Sequence, residues 1–149
     1  MMKKLRKDHL LKKNRIQSLK IERRLLGSTN HPYFARVEHC FQDEKRIYLI
    51  KEFLKGGDLL ENLFKVKRFT EEQARFISAQ VILAIGYLHQ QEIVFRDLRA
   101  ENIYLDENGY IKIENMEFAR VLKRQDRSTS PMPSNEYTPP EQVRGDPYQ

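Results

Sequence analysis

With a single cysteine, Cys40, the chain can close no intramolecular disulfide and build no thiolate metal cluster, and its four histidines show no ligand spacing. No apolar stretch approaches the roughly 20 residues needed to cross a bilayer. The basic N-terminus also lacks the apolar run of a secretory leader. There is no internal repeat, no nucleic-acid-binding motif, and no aromatic residues interleaved with the basic ones. These absences exclude a disulfide scaffold, a zinc module and a membrane span. They lead us to expect an intracellular, cytoplasmic protein with neither nucleic acid nor membrane as its partner.

What is present fits one domain: 149 residues, 40% hydrophobic and 32% charged. The net charge of +6 is uneven, because residues 1–24 hold ten Lys or Arg against only Asp8 and Glu22, leaving the remainder slightly acidic. This basic stretch reads as a solvated helix face.

Met1 to Leu5 reads as the end of a strand. A charged stretch follows, with Leu10, Leu11, Ile16, Leu19 and Leu26 at roughly helical spacing, up to the stop signal Gly27-Ser28-Thr29-Asn30. Ala35 to Phe41 and Arg46 to Phe53 read as a strand hairpin. Gly56-Gly57 breaks the pattern, and Asp58 is a suitable cap for a short helix over Leu59 to Val66. Thr70 with Gln73 forms a capping-box signature that opens the longest helical segment, which runs to His89. Ala74, Ile77, Val81, Ala84 and Leu88 mark one apolar face of it and Phe76, Leu83 and Tyr87 a second, so this helix is expected to be surrounded. From Val121 to Pro140 the chain reads as a long polar loop.

The stretch from Ile93 to Glu117 carries the chemistry. Phe95-Arg96-Asp97-Leu98 with Asn102 five residues after Asp97 fits the catalytic-loop pattern H-R-D-L-x-x-x-N, with Phe in place of His. A hairpin follows, with Ile103 and Leu105, the turn Asp106-Glu107-Asn108-Gly109, then Tyr110, Ile111 and Ile113. It ends at Asn115-Met116-Glu117, where that pattern would be followed by Asp-Phe-Gly.

Together with Leu54-Lys55-Gly56-Gly57-Asp58-Leu59, Arg68-Phe69-Thr70-Glu71-Glu72-Gln73, Tyr87-Leu88-His89 and Glu136-Tyr137-Thr138-Pro139-Pro140-Glu141, this stretch resembles the protein kinase domain, closest to the AGC serine/threonine kinases. The resemblance covers nearly the whole chain. It implies an α+β, partial bilobal protein kinase-like fold, with an incomplete small lobe over residues 1–53 and the first part of the helical large lobe over 54–149. The implied activity is transfer of the ATP γ-phosphate to protein Ser/Thr hydroxyls. Asp97-Leu98-Arg99-Ala100 has a tyrosine-kinase flavour, whereas Glu101-Asn102 and the surrounding segments favour Ser/Thr.

On this resemblance Asp97 orients the substrate hydroxyl, Arg99 meets the transferred phosphate, and Lys3, held by Glu22, anchors the nucleotide. Glu52, Leu54, Asp58, Tyr104 and Glu114 are nucleotide-binding positions, with Tyr104 on the floor under adenine. Asn102 and Asn115 are the Mg²⁺ ligands. Arg96 would receive a phosphate from the activation segment, where Ser128, Thr129 and Ser130 are acceptors. ATP and Mg²⁺ are the implied cofactors, and a protein substrate or regulatory protein the implied partner.

The departures from the family pattern fall in one place. Asn115 removes a formal charge from a hard-cation site, and Glu117 removes the Gly that gives this switch its backbone freedom. Lys51 stands at the gatekeeper position; it is expected either to pair with Glu114 in the pocket or to snorkel to solvent. Only two residues precede Lys3, where the family has two strands and a Gly-rich loop, and only eight follow Glu141. Three readings follow: a serine/threonine kinase-family domain with impaired catalysis, a pseudokinase acting as a binding or regulatory module, or a fragment without function of its own. The expected properties are absent kinase activity, weak ATP binding, and a chain that is partnered or poorly soluble because Phe76, Leu83 and Tyr87 lack cover.

Overall fold

The computed structural model describes residues 1–12, 15–28, 31–122 and 136–147. Strand β1 (Met2–Arg6) runs directly into helix α1 (Lys7–Lys12), followed by helix α2 (Ile16–Ser28) and the strands β2 (Val37–Gln42) and β3 (Arg46–Lys51). The three strands form an antiparallel sheet in the order β1-β3-β2, so β3 is central. Strand alternation places Leu49 and Lys51 on the helix-facing side of β3, both buried, with Lys3 opposite Leu49 on β1.

The expected single N-terminal helix is two helices. Arg15 lies between them, its N–H donating to the Leu10 carbonyl at 2.9 Å. The buried stripe of α2 is Ser18, Ile21, Glu22 and Leu26, whereas Leu11 and Ile16 are exposed. Hydrophobic spacing found Leu10 and Leu26, which are buried, and Leu19, which packs partly against the core, but it missed Ser18 and Glu22 because these buried members are polar.

Helix α3 (Leu59–Val66) starts on Asp58, whose carboxylate accepts from the Glu61 N–H at 2.8 Å. Helix α4 (Glu71–Gln90) has the full capping box: Thr70 Oγ1 accepts from the Gln73 N–H at 3.2 Å, and Gln73 Oε1 accepts from the Thr70 N–H at 2.9 Å. Such a cap is worth about 1 kcal/mol. Gln80, Ala84 and Leu88 form the buried line of α4, with Ile77 and Val81 packed partly against the core and Ala74 exposed. Gln80 is buried because its amide bridges two elements, accepting from the Ile111 N–H at 3.1 Å and donating to the Phe76 carbonyl at 3.1 Å. On the second face Phe76 and Leu83 are exposed as expected. Tyr87 is not, because its ring packs 4.3 Å from His31 and 6.0 Å from Phe34.

Beyond α4 come β4 (Ile93–Val94), a 3₁₀ turn at Ala100–Asn102, and the hairpin of β5 (Ile103–Leu105) and β6 (Ile111–Ile113). The hairpin turn is tied by Asp106, whose Oδ1 accepts from the N–H groups of Asn108 and Tyr110. Gly109 there has φ +83°, which an L side chain resists. Two elements at the edges of the stretch expected as loop were not anticipated: β7 (Arg120–Val121), paired with β4, and the short α5 (Pro140–Val143). Ser128, Thr129 and Ser130 lie outside the described residues, as do Thr29 and Asn30.

The segment at residues 31–35 ties the sheet to the hairpin, with Ile113 N–H donating to the Tyr33 carbonyl at 2.8 Å and Ala35 N–H to the Ile113 carbonyl at 3.0 Å. One hydrophobic core therefore runs from Ile21, Leu26 and Leu49 through Phe34 to Leu88, Ile113 and Met116.

Gly56 is required by close approach. A Cβ there would lie 2.6 Å from both the Leu105 Cβ and the Leu105 carbonyl oxygen, and the Gly56 N–H donates to that same carbonyl at 3.0 Å. Gly56→Ala is expected to cost about 1–3 kcal/mol by forcing the backbone apart. A urea melt would check this, and a variant within error of the parent would contradict it.

Candidate nucleotide and catalytic site

The loop that matches the catalytic-loop pattern is held from both ends. Phe95 is buried where the family pattern has His, and Arg96 adopts φ +67°, with its Nε donating to the Phe118 carbonyl at 2.7 Å. That bond joins the loop to the segment following Asn115. Asp97 and Asn102 are both buried. The Asn102 Nδ2 donates to Asp97 Oδ2 at 2.7 Å and to the Asp97 carbonyl at 2.8 Å, closing the loop on itself. Arg99 Nε stands 3.4 Å from Asp97 Oδ1 with a third of its side chain exposed, so the Asp97 carboxylate has the Asn102 amide hydrogen-bonded on one oxygen and a guanidinium ion-paired, without a hydrogen bond from Nε, at the other.

The chain of contacts continues to Asn115, whose Nδ2 donates to Asn102 Oδ1 at 3.3 Å, while its own Oδ1 accepts from the Glu117 N–H at 3.3 Å. Asp97, Arg99, Asn102 and Asn115 are thus brought together. As a donor set for Mg²⁺ these groups fit poorly. The two amide oxygens are neutral, each already accepts a hydrogen bond, and Mg²⁺ favours carboxylate and phosphate oxygen. Among the described residues, no group of three or more His, Cys, Asp or Glu could hold a metal ion.

A second cluster lies between the sheet and α2. Lys3 Nζ stands 3.2 Å from Glu22 Oε1, the pair the resemblance implied. Lys51 Nζ is closer to that oxygen, at 2.6 Å, and also stands 3.2 Å from Glu114 Oε1. Of the two outcomes expected for Lys51, pairing is the one observed, but its shorter contact is to Glu22 rather than to Glu114. Lys51 and Glu22 are almost fully buried, at 1% and 2% side-chain exposure, against 26% for Lys3. The Lys3 ammonium has its pKa lowered, chiefly by burial; Glu22 works against that shift and the neighbouring Lys51 charge adds to it.

The remaining nucleotide-binding candidates are engaged elsewhere. Glu52 Oε1 accepts from the Arg36 N–H at 3.1 Å and faces Lys112 at 3.6 Å. The Asp58 carboxylate caps α3, and the Leu54 carbonyl accepts from the Gly57 N–H at 3.4 Å. Tyr104 bridges through its backbone to Asp58; its phenol pKa is raised by burial and then by the carboxylates of Glu114, Asp58 and Glu61.

Sequence reasoning missed the tie between α2 and the segment after Asn115. Arg15 pairs with Glu117 and its guanidinium lies 4.8 Å from the centre of the Phe118 ring, while Ser18 Oγ donates to the Ala119 carbonyl at 3.2 Å. The visible signal was Glu117 in place of Gly, but its partner lies about a hundred residues away in sequence.

The order of elements and the placement of these residues define a protein kinase domain. The family model for that domain matches residues 1–149, and the chain belongs to the family. It is similar to the serine/threonine-protein kinase AtPK1/AtPK6 of Arabidopsis thaliana, 36% identical over 97% of this chain and 31% of that protein. It is also similar to the cAMP-dependent protein kinase type 3 of Saccharomyces cerevisiae, 36% identical over 99% of this chain and 36% of that protein. A third relative is the human ribosomal protein S6 kinase alpha-2, 41% identical over 95% of this chain and 19% of that protein. These are AGC-type serine/threonine kinases, as the motifs implied. The chain spans 19% to 36% of their lengths.

Proposed function

We propose that this is a serine/threonine kinase-family domain in which phosphoryl transfer is impaired, and that it acts inside the cell through contacts with a protein substrate or regulatory partner. The observation that carries this reading is the hydrogen bond from Asn115 Nδ2 to Asn102 Oδ1. An amide N–H occupies the oxygen that the family pattern offers to the metal, and the position that should add a carboxylate adds a neutral group. Charge stabilisation at the transferring phosphoryl is the main catalytic term in this chemistry, so a site without that anion is deprived of it. Absence of a helix long and apolar enough to cross a membrane among the described residues is compatible with such a role.

An active-kinase reading is favoured by one specific contact, the 2.7 Å hydrogen bond that holds Asp97 on Asn102. The two readings separate in a radiolabel assay with ATP, Mg²⁺ or Mn²⁺ and a protein acceptor. The expected result is transfer no greater than that of an Asp97→Asn variant. Transfer by the parent that Asp97→Asn abolishes would overturn the impaired reading.

A further inference from the structure

Helix α2 presents one buried carboxylate to the sheet, Glu22, and two lysines meet on its Oε1, Lys3 also donating to Oε2 at 3.4 Å. Their surroundings are unequal. Lys51 rises from β3, the central strand, which is paired on both sides, and its backbone is fixed further by the N–H donating to the Met1 carbonyl at 2.8 Å. Lys3 rises from β1, which among the described residues pairs with β3 alone. Lys51 makes the shorter contact to Glu22, 2.6 Å against 3.2 Å, and keeps 1% of its side chain exposed against 26%. A buried ammonium persists only where its charge is matched, and Lys51 is matched twice, by Glu22 and by Glu114.

We infer that Lys51 is the positioning residue that holds α2 against the sheet, through Glu22, and that Lys3 is the replaceable partner. The lysine expected to fix this helix is thereby relieved of the task by a side chain from the central strand. The arrangement needs no nucleotide, and the inference stands whether or not the site transfers phosphate. The residue just before the N-terminus of α2 is secured separately by the Arg15–Glu117 pair, so the effect of Lys51 belongs to the middle of the helix, around Glu22.

Deleting either lysine alone would leave the cluster with an unbalanced negative charge. The test therefore uses two charge-balanced double variants, each leaving Glu22 with one lysine. Lys3→Met with Glu114→Gln keeps Lys51 on Glu22; Lys51→Met with Glu114→Gln keeps Lys3 on Glu22. Amide hydrogen exchange is read across α2 and, as an internal reference, across α4. The first variant is expected to protect the α2 amides within about twofold of the parent, and the second to lose at least about tenfold there while α4 stays protected. The reverse order, equal loosening by both, or no loosening by either would overturn the assignment.

Acetylation of the parent chain by acetic anhydride, followed by mass spectrometry, needs no variant. Lys3 is expected to react at least about tenfold faster than Lys51, because its amine is partly exposed and holds its proton less tightly than an ordinary lysine. Lys51 reacting at the rate of surface lysines would place it in solvent and overturn the proposal.

Discussion

Lys51→Met alone is expected to destabilise the folded chain by about 3–5 kcal/mol, the range for breaking a buried ion pair from one side. The substitution nearly conserves volume and leaves the strand intact, so packing contributes little. What it removes is the charge that matches Glu114 at 3.2 Å and the nearer of the two that match Glu22. Glu22 keeps Lys3, whereas Glu114 is left as a buried carboxylate with no ion-pair partner among the described residues. Removing that carboxylate as well, in Lys51→Met with Glu114→Gln, is expected to recover more than half of the loss, since replacing both members of a buried pair is often close to neutral. A Tm lowered on the order of 10 °C in the single variant, with partial recovery in the double, is the measurable form of this. Urea melts of the parent, both single variants and the double give the coupling between Lys51 and Glu114 directly. A single variant within about 1 kcal/mol of the parent would contradict the buried network.

The parts of this molecule governed by local rules were legible in its sequence. Asp58 and Thr70 with Gln73 gave the starts of two helices because a cap is satisfied within three residues of itself. The β5–β6 hairpin was likewise visible from its turn chemistry and alternation. The closure of the loop at residues 97–102 was legible through spacing, since Asp97 and Asn102 meet five residues apart. What was not legible depends on contacts distant in sequence. Nothing local to Arg120–Val121 announces a strand, which exists because β4 offers it an edge. The packing of Tyr87 depends on His31, and the burial of Gln80 on a backbone N–H in β6. The pairing of Lys51 with Glu114 was anticipated as one of two outcomes because both departed from the family pattern at pocket-facing positions. Its shorter contact to Glu22 was not, because Glu22 looked already assigned to Lys3.

ATP, with or without Mg²⁺, is expected to bind this chain no more tightly than about 1 mM, roughly 4 kcal/mol of binding free energy. Two independent features oppose it. At the metal end, Asn102 and Asn115 present neutral oxygens that already accept hydrogen bonds, so a phosphate-bound Mg²⁺ would displace those bonds without gaining an anionic ligand. At the base end, Lys51 and Glu114 form a buried ion pair beside Tyr104, and a purine seated there must separate or desolvate those charges. Lys51→Met with Glu114→Thr removes the second obstacle while leaving Lys3 on Glu22, and is expected to tighten binding by at least about tenfold, worth 1.4 kcal/mol. Calorimetric titration of both forms with ATP, each with and without Mg²⁺, separates the contributions. The gain at the base end should appear without Mg²⁺, because it does not pass through the metal. Micromolar, Mg²⁺-dependent binding by the unmodified chain would overturn both obstacles and revive the active-kinase reading. Equal weakness of the two forms would instead refute the obstacle at Lys51 and Glu114 and leave the metal end responsible, which Asn115→Asp then tests by restoring the missing carboxylate.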